Sequence, residues 1–110
     1  MAEATYVQQG DAIDYTPNAD VAAGAVVVIG ELIGIARTPL KANQLGSLAV
    51  AGVFDVAKQA ATAFNAGAIA YWNNTTKVAV ATDGSGAHKR LGKVIVAAAA
   101  NDATLRVRLD

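Results

Sequence analysis

Hydrophobic and polar residues alternate along much of the chain, and short turn-forming segments separate the alternating stretches. The clearest example is Thr104–Leu109, where Leu, Val and Leu alternate with Thr, Arg and Arg. Successive side chains of a β-strand point to opposite faces, so this pattern predicts a strand with one buried face. Glycine, proline, asparagine and aspartate recur at short intervals between such stretches, which favours an all-β barrel or sandwich over alternating strands and helices.

The same reasoning applied along the whole chain predicts nine strands. Each is a short run of β-branched or alternating residues bounded by turn signals. We therefore expect an all-β fold with at most one short helix. The predicted strands cover residues 5–9, 12–15, 25–29, 32–37, 48–56, 68–72, 78–81, 91–98 and 104–109.

Three connections carry more specific signals. Gly30 and Glu31 separate two apolar stretches, and glycine supplies the positive φ angle that tight turns need, so a β-hairpin is predicted there. Residues 57–66 are rich in Ala, Lys and Gln and precede Gly67, which favours a short helix with a glycine C-cap. Extended chain is the alternative for that segment. Residues 83–87 are predicted to form a flexible loop.

The composition indicates a core built from small side chains. The chain has 110 residues, the size of one domain, and its hydrophobic fraction of 54% excludes a disordered tail. However, 26 residues are alanine and only 5% are aromatic, so each buried side chain removes little apolar surface from water. Interfaces shared between subunits would add burial, and we therefore expect a homo-oligomer.

The charge balance and the apolar pattern exclude several partners. Nine Lys and Arg residues balance nine Asp and Glu residues, whereas nucleic-acid binding needs a clustered excess of positive charge, so we expect no direct nucleic-acid contact. The longest apolar stretch, residues 21–30, falls short of the roughly 20 residues that a membrane helix needs. The first five residues contain an acid and no base, unlike a secretory signal. We expect a soluble protein that is cytoplasmic when synthesised.

Individual polar residues offer little catalytic or metal-binding chemistry. The chain lacks cysteine, which excludes disulfides and thiolate metal sites. His88 is the only histidine and is interpreted as a solvated loop residue beside Lys89 and Arg90. Asp11 and Asp14 could share acid–base work or hold a cation, but residues three apart on a strand face opposite ways. We interpret them as a turn-capping residue and a surface residue.

The glycine-rich segment 84–86 does not extend into a phosphate-binding loop. In the pattern G-x-x-x-x-G-K-[ST], the only available Gly-Lys pair is Gly92 and Lys93. Ala87 replaces the first glycine, and Val94 replaces the hydroxyl residue that binds magnesium. The nucleophile pattern G-x-S-x-G is also absent. The sequence therefore predicts a non-enzyme with no catalytic residue, cofactor site or metal site.

Three remaining features are interpreted as structural. Tyr71 and Trp72 end an apolar strand and are predicted to pack in the core, since a base-stacking platform would need a basic groove beside it. The positive cluster in residues 89–93 is typical of a solvated loop. Asp20 is predicted to form an Asx turn before the strand that begins near residue 25.

Several short segments form an ordered set that covers nearly the whole chain. They are Gly-Asp-Ala-Ile-Asp-Tyr-Thr-Pro at 10–17, Ala-Asp-Val-Ala-Ala-Gly at 19–24 with Val-Val-Val at 26–28, Leu-Ile-Gly-Ile-Ala at 32–36, Gly-Val-Phe-Asp-Val-Ala-Lys at 52–58, Tyr-Trp at 71–72, and the alanine-rich segment 97–103 with Arg-Val-Arg-Leu at 106–109. Together they resemble the small phage and prophage proteins known as capsid cement or decoration proteins. Members of that family often carry the label of a predicted phage recombinase, and the missing phosphate-binding loop argues against that label here.

The resemblance implies a structural protein of the virion. It implies a small β-barrel or β-tulip-like domain that binds the outer surface of the expanded phage head and stabilises it by bridging neighbouring major capsid subunits. It also implies a homo-oligomer, with a trimer favoured and a dimer as the alternative. The expected location is the capsid exterior, with the host cytoplasm during assembly.

The resemblance further implies an N-terminal arm that reaches neighbouring capsid subunits. We expect the arm over residues 1–9 and a single β-rich domain over residues 10–110. Residues 5–7 have good strand propensity and could add a strand to a sheet edge of the capsid. The candidate residues for capsid contact are Glu3, Tyr6, Val7, Gln8 and Gln9.

Two other functions stay open at this point. A recombination-associated protein that binds ATP or DNA would show nucleotide or DNA affinity, with a steep salt dependence for DNA. A host-facing head fibre or carbohydrate-binding module would need an exposed aromatic platform. Tyr15, Tyr71 or Trp72 would supply such a platform only if unburied.

Overall fold

The computed structural model describes residues 3–110 as two antiparallel β-sheets. Apart from one 3-10 turn, η1, these residues contain no helix, so the all-β prediction is confirmed. The elements are β1 (Ala12–Tyr15), β2 (Val26–Ile29), β3 (Leu32–Ile35), β4 (Gly46–Ala49), β5 (Val53–Ala57), β6 (Ile69–Asn73), β7 (Val78–Val80), η1 (Gly84–Gly86), β8 (Lys89–Val94) and β9 (Thr104–Leu109).

The first sheet has four strands in the order β1-β4-β3-β2. Strands β2 and β3 form the predicted hairpin, in which Ile29 faces Leu32 across a two-residue turn. Gly30 adopts φ 58°, the left-handed conformation that glycine allows without a Cβ clash. The two outermost strands, β1 and β2, each pair on one side only within the described residues.

The second sheet has five strands in the order β5-β9-β8-β6-β7 and curves towards closure. The end of β5 reaches β7 at one isolated bridge between Lys58 and Ala79. Because no continuous ladder joins β5 to β7, the described strands form an open, curved sheet and not a closed barrel. The fold therefore fits the β-tulip-like form of the prediction better than the barrel form.

The main core lies inside the curve of the second sheet. Strands β2 and β3 of the first sheet pack on it there. A smaller core lies on the other face of the first sheet, under the loop that contains Leu40. The largest side chains that are almost fully buried are all aliphatic, as the low aromatic content predicts. The main core consists of Ile33, Ile35, Val56, Phe64, Ala70, Trp72, Ala79, Leu91, Val94, Ala98, Leu105, Val107 and Leu109.

Four predicted elements differ from the structure. Residues 5–9 form no strand, because no strand of residues 3–110 pairs with them. The predicted strand over residues 48–56 is two strands, separated by a turn in which Gly52 adopts φ 119°. Residues 57–66 form no helix: isolated bridges at Lys58 and Phe64 flank a turn at residues 60–61, where Ala61 adopts φ 61°. Strand β8 begins at residue 89 and ends at 94, not 98.

Candidate functional site

The N-terminal segment is the most exposed apolar surface that the structure describes. Every residue from 3 to 9 is exposed, and Met1 and Ala2 of the predicted arm lie outside the described residues. Tyr6 and Val7 are 80% and 85% exposed. When a partner covers exposed apolar side chains of this size, the free energy of the system falls, which favours binding.

The segment joins the body of the protein through few contacts. The Gln8 side-chain amide donates a hydrogen bond from Nε2 to the Ala12 carbonyl oxygen at 3.1 Å. Strand β1 follows immediately, and its outer edge is unpaired within residues 3–110. Within these residues, the carbonyls of Asp11 and Ala12 accept hydrogen bonds where the segment meets β1, while the segment itself and most of the outer edge of β1 present unpaired backbone groups.

A cleft lies at the root of the N-terminal segment. It has a volume of about 550 Å³ and separates one face of the first sheet from the start of β5. Its charged groups are Asp11 and Arg37, one of each sign. The remaining lining residues are small or apolar: Ala12, Thr38, Ser47, Ala49, Ala51, Gly52, Val53 and Phe54.

The outer face of the second sheet carries paired charges. Arg106 donates two hydrogen bonds to Asp55, at 2.8 Å and 3.1 Å, across the β5–β9 pair. These hydrogen bonds and the nearby guanidinium charge lower the pKa of Asp55 and raise that of Arg106. Both side chains are about half exposed, so the pair adds little to stability in water.

A second pair links the end of β9 to β8. Arg90 donates two hydrogen bonds to Asp110, at 3.0 Å and 2.7 Å, which lower the pKa of the Asp110 carboxyl. Lys89 donates to Glu31 at 2.9 Å. Two cations of the positive cluster are therefore neutralised, and Lys93 is the one member of the cluster that forms none of the ion pairs in residues 3–110. The cluster lies on strand β8, and the prediction of a loop was wrong.

The polar residues considered for chemistry do not converge. Residues 3–110 contain no group of three His, Cys, Asp or Glu side chains arranged to hold a metal. His88 is half-buried and lies against Gly84, where an added Cβ would come within 2.7 Å of its Cδ2. Asp14 is exposed on β1, whereas Asp11 precedes the strand. They therefore belong to different structural settings.

The predicted Asx turn at Asp20 is wrong. Its carboxylate accepts a hydrogen bond from the backbone N–H of Ala42 at 2.9 Å, 22 residues away. The adjacent Val21 pairs with Leu40 through two backbone hydrogen bonds, which brings the two loops together. Asp20 thus joins two loops of the first sheet instead of starting a local turn.

The aromatic pair belongs to the core more than to the surface. Trp72 is 5% exposed and donates from Nε1 to the Asn74 Oδ1 at 3.3 Å. Tyr71 is half-buried, and Tyr15 packs partly buried against the smaller core. The core prediction for Trp72 is confirmed, and its burial removes the strongest candidate for an exposed carbohydrate platform.

The sequence reasoning assigned Lys58 to no site, since it counted this lysine as a helix former and as the last residue of the segment 52–58. Lys58 is 5% exposed and is the only charged residue in the buried set of the described chain. The signal that could have drawn attention to it is its isolation, because residues 59–76 contain no other charge.

Comparison with known proteins supports one of the open functions. The family model described as phage cement protein matches residues 7–109. The chain belongs to the phage cement protein family. The resemblance predicted from the sequence is thus confirmed, and the protein has a structural role in the phage capsid, to which it binds. No curated protein and no solved structure matches the chain.

The match also bears on the residues singled out above. Val7, Gln8 and Gln9 lie inside the matched range, whereas Glu3 and Tyr6 precede it.

Within residues 3–110, no helix is long enough and apolar enough to span a bilayer. The phage capsid is the location that the family indicates.

Proposed function

We propose that this cement protein binds the outer surface of the expanded phage head and stabilises it by bridging neighbouring major capsid subunits. The observation that carries the proposal is the exposed N-terminal segment, which places Tyr6 and Val7 in solvent on a chain from a capsid-binding family. Burying these side chains against the capsid would supply the apolar part of the binding free energy.

The arm over residues 1–9 is the proposed contact. An extended segment has free backbone N–H and C=O groups that can add a strand to a sheet edge of a capsid subunit. In that conformation Val7 and Gln9 share one face, and Tyr6 and Gln8 share the other. Glu3, Gln8 and Gln9 would then supply polar contacts around the apolar side chains of Tyr6 and Val7.

The domain over residues 10–110 is the proposed rigid body that joins several arms. We favour a trimer, with a dimer as the alternative, because the alanine-rich core is light and apolar side chains remain exposed on the body. Val53 and Val96 are each 52% exposed, and Ile95 is 42% exposed. An oligomer would contact several capsid subunits at once, so modest contacts at each subunit would give firm attachment.

The proposed setting needs neither nucleic acid nor membrane. The chain has zero net charge, and most of its densest cationic cluster is ion-paired, which supports a position on the capsid exterior away from the packaged DNA. The protein would reach the head from the host cytoplasm during assembly. Reinforcement would be mechanical, since the contacts between subunits oppose their separation.

The test uses the double variant Tyr6→Ala, Val7→Ala with purified, undecorated, expanded heads. We expect the number of bound copies after pelleting to fall by at least about tenfold, because both anchors are lost. The matched control is Leu45→Ala, which removes an apolar side chain of similar exposure from the body.

Circular dichroism and Trp72 fluorescence establish that each variant is folded. If the double variant binds heads as well as Leu45→Ala does, the arm has no part in binding. The attachment surface would then lie on the body of the protein.

A further inference from the structure

Lys58 holds an unusual position, at the end of β5 where the curved second sheet comes nearest to closure. Its backbone bridges Ala79 of β7, and its N–H donates to the Ala103 carbonyl at 3.0 Å. The side chain turns inward, leaving the residue 5% exposed. Lysine is almost never buried to this extent without a partner for its charge.

Backbone carbonyl oxygens surround the buried ammonium group. Lys58 Nζ donates to the carbonyl oxygens of Gln59 at 2.9 Å and Ala100 at 3.2 Å, and also to that of Thr62. An ammonium group has three N–H donors and no acceptor. All three donors are therefore used, each by a different carbonyl.

No carboxylate takes part in this arrangement. The three ion pairs of residues 3–110 leave Lys58 out. Residues 59–67 and 95–103 contain one charged side chain, Asp102, which accepts a hydrogen bond from the Ala99 backbone N–H at 2.8 Å and forms no ion pair with Lys58. The hydrogen-bond partners of the Lys58 ammonium are therefore carbonyl oxygens alone. A set of converging backbone carbonyls is the kind of ligand that proteins use to replace the hydration shell of a small monovalent cation.

The three carbonyls belong to two segments that would otherwise be joined by few bonds. We call residues 59–67 the strap and residues 95–103 the facing loop. Phe64 and Ala98 exchange two backbone hydrogen bonds, at 3.0 Å and 2.9 Å, and Gly67 donates to Val94 at 2.7 Å. Lys58 Nζ contacts two carbonyls of the chain near the start of the strap and one in the facing loop, so it joins the two.

We propose that these carbonyl oxygens form an ammonium-binding site that the chain fills with its own Lys58 side chain, and that this site fastens the strap to the facing loop. Lysine suits it because an ammonium is a compact charge with three divergent donors, whereas the planar fork of arginine is matched to carboxylates and phosphates. The site does not depend on the proposed function. Its ligand class is a primary ammonium ion.

Shortening the side chain tests this inference, because a free amine can then enter. Lys58→Ala removes the equivalent of propylammonium and should lower the melting temperature by about 10–20 °C, since three carbonyls lose their shared donor and a buried side chain is lost. Adding propylammonium chloride should restore part of the loss in a concentration-dependent manner. Tetramethylammonium chloride at equal ionic strength has no N–H donor and should restore none.

Two variants serve as controls. Lys41→Ala removes an exposed lysine and should change the melting temperature little, with or without propylammonium. Lys58→Met fills the same space without a donor and should remain destabilised in propylammonium. A Lys58→Met protein that melts with the wild type would overturn the proposal, as would equal rescue of Lys58→Ala by tetramethylammonium.

A labelling measurement on the wild-type protein covers the case in which Lys58→Ala does not fold. Under brief acetylation, Lys58 should react at least about tenfold more slowly than the exposed Lys41, because its amine becomes accessible only when the strap opens. Similar acetylation rates at the two lysines would show that the ammonium is not held. That result would overturn the proposal without bearing on capsid binding.

Discussion

At the scale of single residues, Gly92 is the glycine whose backbone lies closest to a neighbouring strand. A Cβ at this position would lie 2.0 Å from the carbonyl oxygen of Arg108 and 2.8 Å from its carbonyl carbon. Both atoms belong to the backbone of β9, which cannot move without disturbing its pairing with β5 and β8. Glycine is therefore required here by backbone packing and not by a turn.

We predict that Gly92→Ala destabilises the protein by about 3 kcal/mol or more, since β8 and β9 must separate to admit the methyl group. Urea denaturation followed by Trp72 fluorescence measures this change. The matched control is Gly10→Ala, where an added Cβ meets no atom within 4 Å. Equal stability of the two variants would contradict the close approach of the β8 and β9 backbones at Gly92.

Residue roles of this kind were hidden in the sequence. In the sequence, Gly92 stood out only as part of the Gly-Lys pair of a failed phosphate-binding pattern, and Lys58 only as a helix former and the end of the segment 52–58. The role of each depends on a contact with a residue at least 16 positions away, Arg108 for Gly92 and Ala100 for Lys58. Local pattern carries no information about such contacts, although the burial of Trp72 could be predicted because it ends an apolar run.

At the scale of the elements, pairing partners decide which predicted strands form. The stretch Thr104–Leu109 was predicted correctly because its alternation reflects one face in the core and one in solvent. Residues 5–9 have similar propensity but no partner, so they stay unpaired. Residues 57–66 have helical composition, yet the bridges at Lys58 and Phe64, with a turn between them, replace the helix. In both cases the presence or absence of a pairing partner outweighed local preference.

The β5–β9 pair also carries a pH-dependent contribution. Asp55 has a pKa below its ordinary value of 3.8 because of hydrogen bonds from Arg106. A carboxyl with a lowered pKa in the folded state stabilises that state above its unfolded pKa, and this stability is lost as the pH falls through the folded value. The loss therefore occurs on acidification below about pH 4.

We predict that Asp55→Asn weakens the dependence of the free energy of unfolding on pH in the acid range. Between about pH 5 and pH 2 its free energy of unfolding should fall less than that of the wild type, because one linked proton uptake is gone. Urea titrations at each pH provide the measurement. Asp14→Asn is the control, since Asp14 forms none of the ion pairs in residues 3–110. If the Asp55 and Asp14 variants have the same pH dependence, the Asp55–Arg106 pair does not contribute.

At the scale of the whole molecule, the architecture suits a protein that acts through its surface. A curved sheet and a smaller sheet enclose a mostly aliphatic core, while the N-terminal segment extends from β1 with Tyr6 and Val7 in solvent. No cluster in the described residues gathers metal-binding side chains, and the family is one of structural capsid proteins. The all-β class and the family were predictable from the sequence, because both rest on patterns spread along the chain.

The stoichiometry of binding is the most direct test of whether this protein binds expanded phage heads as a bridging cement. Wild-type protein is titrated onto undecorated, expanded heads, the heads are pelleted, and the bound copies per major capsid subunit are counted. We predict saturation at a fixed ratio of small integers, with greater resistance of the decorated heads to heat, because an oligomer that bridges subunits occupies one class of symmetry site. Folded protein that stays in the supernatant, or that binds without a saturating ratio and without protecting the heads, would contradict it.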